Sequence, residues 1–163
     1  MIAPQAPPPP AAPSAPAVVA PAPVSPTIRA QYGWGYAGPE GEGIGTLSLL
    51  MNGATGRLVV ELHGPGERLL LLEGDHASGY RLQVPRQKLD QRAPYLAQLP
   101  LPFLPQMPSV EALLRLLRTG EGAGVSVLKK DAQGPLKLHW RGKDARGKDE
   151  QVWLDRKRWE ESR

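Results

Sequence analysis

The sequence predicts an α+β domain in which one curved antiparallel sheet wraps around a helix and a proline-rich loop. Three observations predict it. Short runs of alternating apolar and polar residues recur about every ten positions, separated by strong turn signals. One helical pattern, Ser109 to Gly120, interrupts them. The stretch before that helix holds Pro100, Pro102, Pro105 and Pro108, a spacing that admits neither a ladder strand nor a continuous helix.

The strands justify themselves in order. Tyr32, Trp34 and Tyr36 alternate with Gly33 and Gly35, a period-two signal. Pro39 to Gly43 reads as a turn cluster. Leu47, Leu49 and Met51 then share one face, with Thr46 and Ser48 on the other. Asn52-Gly53 is a turn dipeptide. Leu58, Val60 and Leu62 follow on one face, and Gly64-Pro65-Gly66 turns the chain again. Four leucines run from Leu69 to Leu72, so the facing of that strand is unreadable. Tyr80, Leu82 and Val84 alternate with Arg81 and Gln83, and Pro85 ends the fifth strand. Glycines at 33, 35, 43 and 45 permit the sheet to bend.

Gln87 to Pro108 reads as a long ordered loop with a short helical turn near Ala93 to Gln98. Ser109 is placed to cap a helix, with Glu111 in the first turn. Leu113, Leu114, Leu116 and Leu117 form its apolar stripe, Arg115 and Arg118 its wet side, and Gly120 its stop. Strands return after Gly124, with hairpin loops at 131–134 and 142–148. The last strand sets Val152 and Leu154 against Trp153 and Asp155.

The ends of the chain differ from this pattern. Pro and Ala fill 18 of the first 26 of 163 positions, and no charge occurs before Arg29. Such a segment cannot bury enough surface to offset its ordering entropy. Residues 1–28 are therefore expected to be a disordered tail or spacer, and residues 29–163 a single β-rich domain. As polyproline II the tail could reach about 80 Å. The start shows no positive n-region and no continuous apolar h-region. Two expectations follow: a cytoplasmic chain, or a mature chain whose leader is gone and whose anchor lay upstream of Met1. The spacer-like start favours the second.

Residues 129–163 hold eleven Lys/Arg and seven Asp/Glu, which accounts for the whole net charge of +4. The signs alternate, as in Lys143-Asp144-Ala145-Arg146, so a solvated hairpin is the first reading and a contact with an anionic membrane surface the second. A nucleic-acid face would be denser in cations with interleaved aromatics, so no nucleic-acid partner is expected. The absence of Cys removes disulfides, thiolate metal sites and thiol catalysis.

Catalytic candidates are sparse. His63, His76 and His139 lie far apart, none in a metal spacing, and His63 and His139 should face solvent. No Gly-x-Ser-x-Gly occurs. Gly41-Glu42-Gly43-Ile44-Gly45 lacks a phosphate-loop Lys. The expectation is a protein that is not an enzyme and needs no cofactor and no metal.

Several runs carry a family likeness: Gly45-Thr-Leu-Ser-Leu-Leu-Met51, then Gly56-Arg-Leu-Val-Val-Glu-Leu-His-Gly-Pro-Gly-Glu-Arg-Leu-Leu-Leu-Leu72, and Gly134-Pro-Leu-Lys-Leu-His-Trp140 with Val152-Trp-Leu-Asp155. Across residues 31–160 the chain resembles the LolA/LolB-like outer-membrane lipoprotein localisation family, LolB most of all. That resemblance implies a half-open β-barrel, lidded by helices, that encloses an apolar cavity for lipoprotein acyl chains or another lipid. It implies a place on the periplasmic side of the bacterial outer membrane. The cavity residues would be Leu47, Leu49, Leu58, Val60, Leu62, Tyr80, Leu82 and Leu116. The membrane-facing turn would be Gly64, Pro65 and Gly66. Here the chain departs from the family, whose turn is Asn-Pro-Leu-Gly with an exposed Leu that helps insert lipoproteins; the turn in this chain has no Leu.

The expected function is thus a non-enzymatic envelope lipoprotein-binding or sorting factor. The alternative is a structural envelope protein that binds a protein partner through its sheet or its Trp-bearing face. In that case Trp153 and Trp159, both off the Val152/Leu154 face, would form part of the interface.

Overall fold

The computed structural model describes residues 4, 25–144 and 146–162. The expectation for the Pro/Ala segment falls on residues that, Pro4 and 25–28 apart, lie outside the described ones. Among the described residues nine strands form one open antiparallel sheet, and one helix accompanies it. In chain order the strands are β1 (Thr27–Gly38), β2 (Gly41–Asn52), β3 (Arg57–Gly64), β4 (Glu67–Asp75), β5 (Gly79–Val84), β6 (Leu89–Ala93), β7 (Val125–Asp131), β8 (Gly134–Lys143) and β9 (Asp149–Ser162). The helix α1 is Val110–Thr119, and 3-10 turns lie at Pro85–Gln87 and Leu96–Gln98.

The spatial order is β6-β5-β4-β3-β2-β1-β9-β8-β7. Each hairpin lays a strand beside its predecessor, until the chain must pass from β6 to β7, the two opposite edges. The connection 94–124 makes that passage and forms the second layer. This explains its composition: Leu96, Leu99, Leu101, Phe103, Leu104, Met107 and the helix leucines are all buried. They join one hydrophobic core with the inward residues of the sheet. The helix packs against β8 and β2. Ser109 caps it by accepting from the Ala112 N–H at 3.1 Å, and Gly120, at φ +77°, ends it. All four stripe leucines are buried, and Arg115 and Arg118 are exposed.

Four expectations need correction. First, β1 starts at Thr27, so residues 27–28 belong to the sheet and Ile28 is buried. Second, Leu89–Ala93 is a strand within the stretch expected to be loop. As an edge strand pairing only with β5, Leu-Asp-Gln-Arg-Ala needs no apolar alternation, so it left no period-two signal. The helical turn expected near 93–98 is present at Leu96–Gln98. Third, the turn after β1 is shorter than Pro39 to Gly43, because β2 already begins at Gly41. Fourth, Trp153 and Trp159 do not share a face. The β1–β9 register shifts between Gln31 and Tyr32, which leaves Lys157 unmatched and sets Trp159 beside the buried Ala30, against the core. A similar shift between Leu62 and His63 explains how neighbouring Leu69 and Leu70 are both buried.

Candidate functional site

The predicted cavity residues do converge. Directly paired residues in antiparallel strands point to the same face. Leu49, Val60, Leu72 and Leu82 therefore make one row across β2–β5, and Leu47 and Leu62 pair beside it. Leu58 lies opposite Met51. The hydroxyl of Tyr80 donates to the Gly56 carbonyl at 2.7 Å, which holds the ring against the end of β3. Leu47, Leu49, Leu58, Val60, Leu62, Tyr80 and Leu82 are all buried on the face covered by the connection.

Leu116 is placed differently. With Met107, Ala112, Leu113, Val125 and Trp140 it lines an open, mostly apolar groove of about 430 Å3 at the β7–β8 end of the covered face. The Trp140 indole donates to the Ala123 carbonyl at 3.1 Å, so the ring is fixed as one wall. Gly124, at φ +75°, brings the chain so close to β8 that a Cβ there would lie 2.3 Å from the Arg141 carbonyl oxygen. A Cβ on Gly122 would lie 2.9 Å from Leu116. The two glycines thus let the helix exit run tight against the sheet, while Glu121 and Ala123 beside them line the groove.

A second concavity of about 250 Å3 lies where the β1–β2 turn, the proline-rich segment and the β8–β9 loop meet. Trp34 and Tyr36 stack at 6.0 Å, and Phe103 stands edge-on to both. The Trp34 indole donates to the Phe103 carbonyl at 3.0 Å and so pins a non-glycine residue held at φ +67°. Beside them Glu150 is only 4% exposed. It accepts from the Tyr36 hydroxyl at 3.0 Å, and burial pushes its carboxyl above the usual range. Sequence reasoning missed Glu150, because Lys148-Asp149-Glu150 reads as a solvated charge run. The available signal was its phase: positions 150, 152, 154 and 156 share the inward period of β9, and all four are buried. Arg156 reaches the Pro135 carbonyl at 3.2 Å and pairs with Asp131, whose carboxyl it holds below the ordinary range.

The remaining candidates stay apart. His63 sits 3.4 Å from Glu61, and His76 lies 3.8 Å from Glu111. His139 hydrogen-bonds with Gln151 at 2.8 Å and stacks on Trp153. Among the described residues no group of acids and histidines could hold a metal ion. No described helix is long and apolar enough to cross a membrane. The Gly64-Pro65-Gly66 segment is a tight β3–β4 turn, with Gly66 at φ +76° and both Pro65 and Gly66 exposed. The chain matches no protein-family model and no curated protein.

Proposed function

We propose that this chain is a non-enzymatic, LolB-like envelope factor that holds the acyl chain of a lipoprotein or another lipid. On this reading the open sheet is a half-open barrel curled about the helix and the proline-rich segment. The observation that carries the proposal is the apolar groove beside α1. Its volume lies within the range of small-ligand sites, about 300–1,000 Å3. Its lining is mostly aliphatic and aromatic, with Gln106, Glu121 and Arg141 as its polar members, and it opens to the surface, so an alkyl chain could enter without unpacking the core. Leu116, one of the eight residues named from the sequence, forms part of that lining. The other seven lie in the closed core beneath β2–β5, away from the groove.

The test is a titration of the purified chain with a dye that fluoresces in apolar sites, competed by a long-chain fatty acid. A single saturable isotherm displaced by the fatty acid is expected. Ala112→Trp should fill the groove and abolish the binding while the melting temperature holds. If the parent binds neither dye nor fatty acid, or if Ala112→Trp binds as well as the parent, the carrier reading fails.

A further inference from the structure

The face of the sheet turned away from the helix is not uniformly polar. A row of directly paired residues runs Ile44–Gly35–Trp153–His139 across β2, β1, β9 and β8. Its members share one side of the sheet. Leu128, where the β7 register slips, joins the same furrow of about 460 Å3, floored by Gly33, Gly35 and Gly45. Ile44 is 73% exposed, Leu128 58% and Trp153 37%. A sheet with one covered face ordinarily turns polar side chains outward. Three large apolar side chains from three different strands break that rule in one place.

Cations surround them. The next row runs Gly33–Asp155–Lys137–Lys129. The aliphatic stem of Lys157 lies over Gly33, 3.3 Å from where a Cβ would stand, and its ammonium meets Asp155 at 2.9 Å. Three ammonium groups thus face one carboxylate, and a positive excess remains.

We propose that this face docks on an anionic lipid surface. Ile44, Leu128 and Trp153 enter the boundary between headgroups and acyl chains, and Lys129, Lys137 and Lys157 take the lipid phosphates. Interfacial attachment needs this combination of apolar side chains and surrounding cations. Trp prefers that depth because its ring is amphipathic, and lysine stems lie along apolar surface while their charges reach the headgroups. The apolar tips come from separate strands and spread over one sheet face. The inference is independent of the groove, which lies on the other side of β8.

The full chain should co-sediment with phosphatidylcholine vesicles containing phosphatidylglycerol and much less with phosphatidylcholine alone. Added salt should weaken the binding, and tryptophan emission should shift to the blue on binding. Ile44→Ser and Leu128→Ser should each lower partitioning about tenfold. Lys129→Gln and Lys137→Gln should each lower it about fivefold. All four positions face outward, so the melting temperature and the dye isotherm of the groove should hold. Absence of binding to the mixed vesicles, or binding indifferent to these substitutions, would overturn the proposal. Capture of polyglutamate without any vesicle binding would also overturn it, and would assign the face to an acidic protein instead.

Discussion

Beneath β2–β5 the covered face of the sheet is closed. Leu49, Val60, Leu72 and Leu82 run across four strands and each is buried. Beneath β7–β8 the same face stays open, and Val125 and Trp140, themselves a directly paired couple, wall a groove. Both regions carry period-two apolar strands, so strand pattern does not separate core from groove. The connecting segment does. Where it supplies leucines, the inward row disappears into a contiguous core. Where it leaves the helix, Gly120, Gly122 and Gly124 alternate with Glu121 and Ala123, which line the groove without filling it, and space remains.

The largest expected effect is a truncation on the closed side. Leu72→Ala removes a fully buried side chain whose neighbours pack on every side, and should cost about 2–5 kcal/mol. Val125→Ala on the open side, where the side chain is half-buried, should cost well under half as much. Urea denaturation of the two variants measures both. Equal losses would mean that the groove wall is as tightly packed as the core, and the contrast between the two regions would vanish.

Enlarging side chains sharpens the same contrast. Val60→Trp should overpack the closed side and cost about 1–3 kcal/mol or more. Ala112→Trp should enter open space and leave the melting temperature near that of the parent. A stable Val60→Trp would reveal room at the centre of the sheet and would move the candidate ligand site from the β8 end to the row formed by Leu49, Val60 and Leu82.

How much of this was legible in the sequence follows from which forces leave local marks. The inward rows of β1, β2, β3 and β5, the Ser109 cap and the Gly120 stop were readable because alternation and capping act over a few residues. The β6 strand was not, since an exposed edge imposes no pattern on its side chains. The side taken by Trp159 was not, because a bulge is set by pairing with a distant strand. The groove was not, because it arises where a glycine-rich exit meets the end of β8, and Leu116 alone among the eight named residues lines it.

The smallest expected effect concerns Glu150, at the end of the sheet where the aromatic cluster sits. Among the described residues its carboxylate has no cation within ion-pair distance, and its hydrogen-bond donor is Tyr36. Burial raises its pKa, the nearby charge of Asp144 adds to the rise, and the Tyr36 hydrogen bond opposes it. For an acid raised in the folded state, the two states are alike below the unfolded value, because both are protonated. As pH rises from the unfolded value to the folded value, the unfolded chain ionises while the native state stays protonated, so a stability cost builds across that window and persists at neutral pH. Glu150→Gln removes the charge and keeps an oxygen that can accept from Tyr36. Thermal melts should therefore show the variant slightly more stable than the parent at neutral pH and equal to it near pH 4, below the ordinary glutamate value of about 4.5. Tyr36→Phe makes the opposite change, since it strips the carboxylate of its donor. It should cost roughly 1 kcal/mol at neutral pH and less in acid, where the carboxyl is protonated. A Glu150→Gln variant less stable than the parent at neutral pH would show that the ionised carboxylate is compensated by its surroundings. This end of the sheet would then be as well satisfied as the closed core.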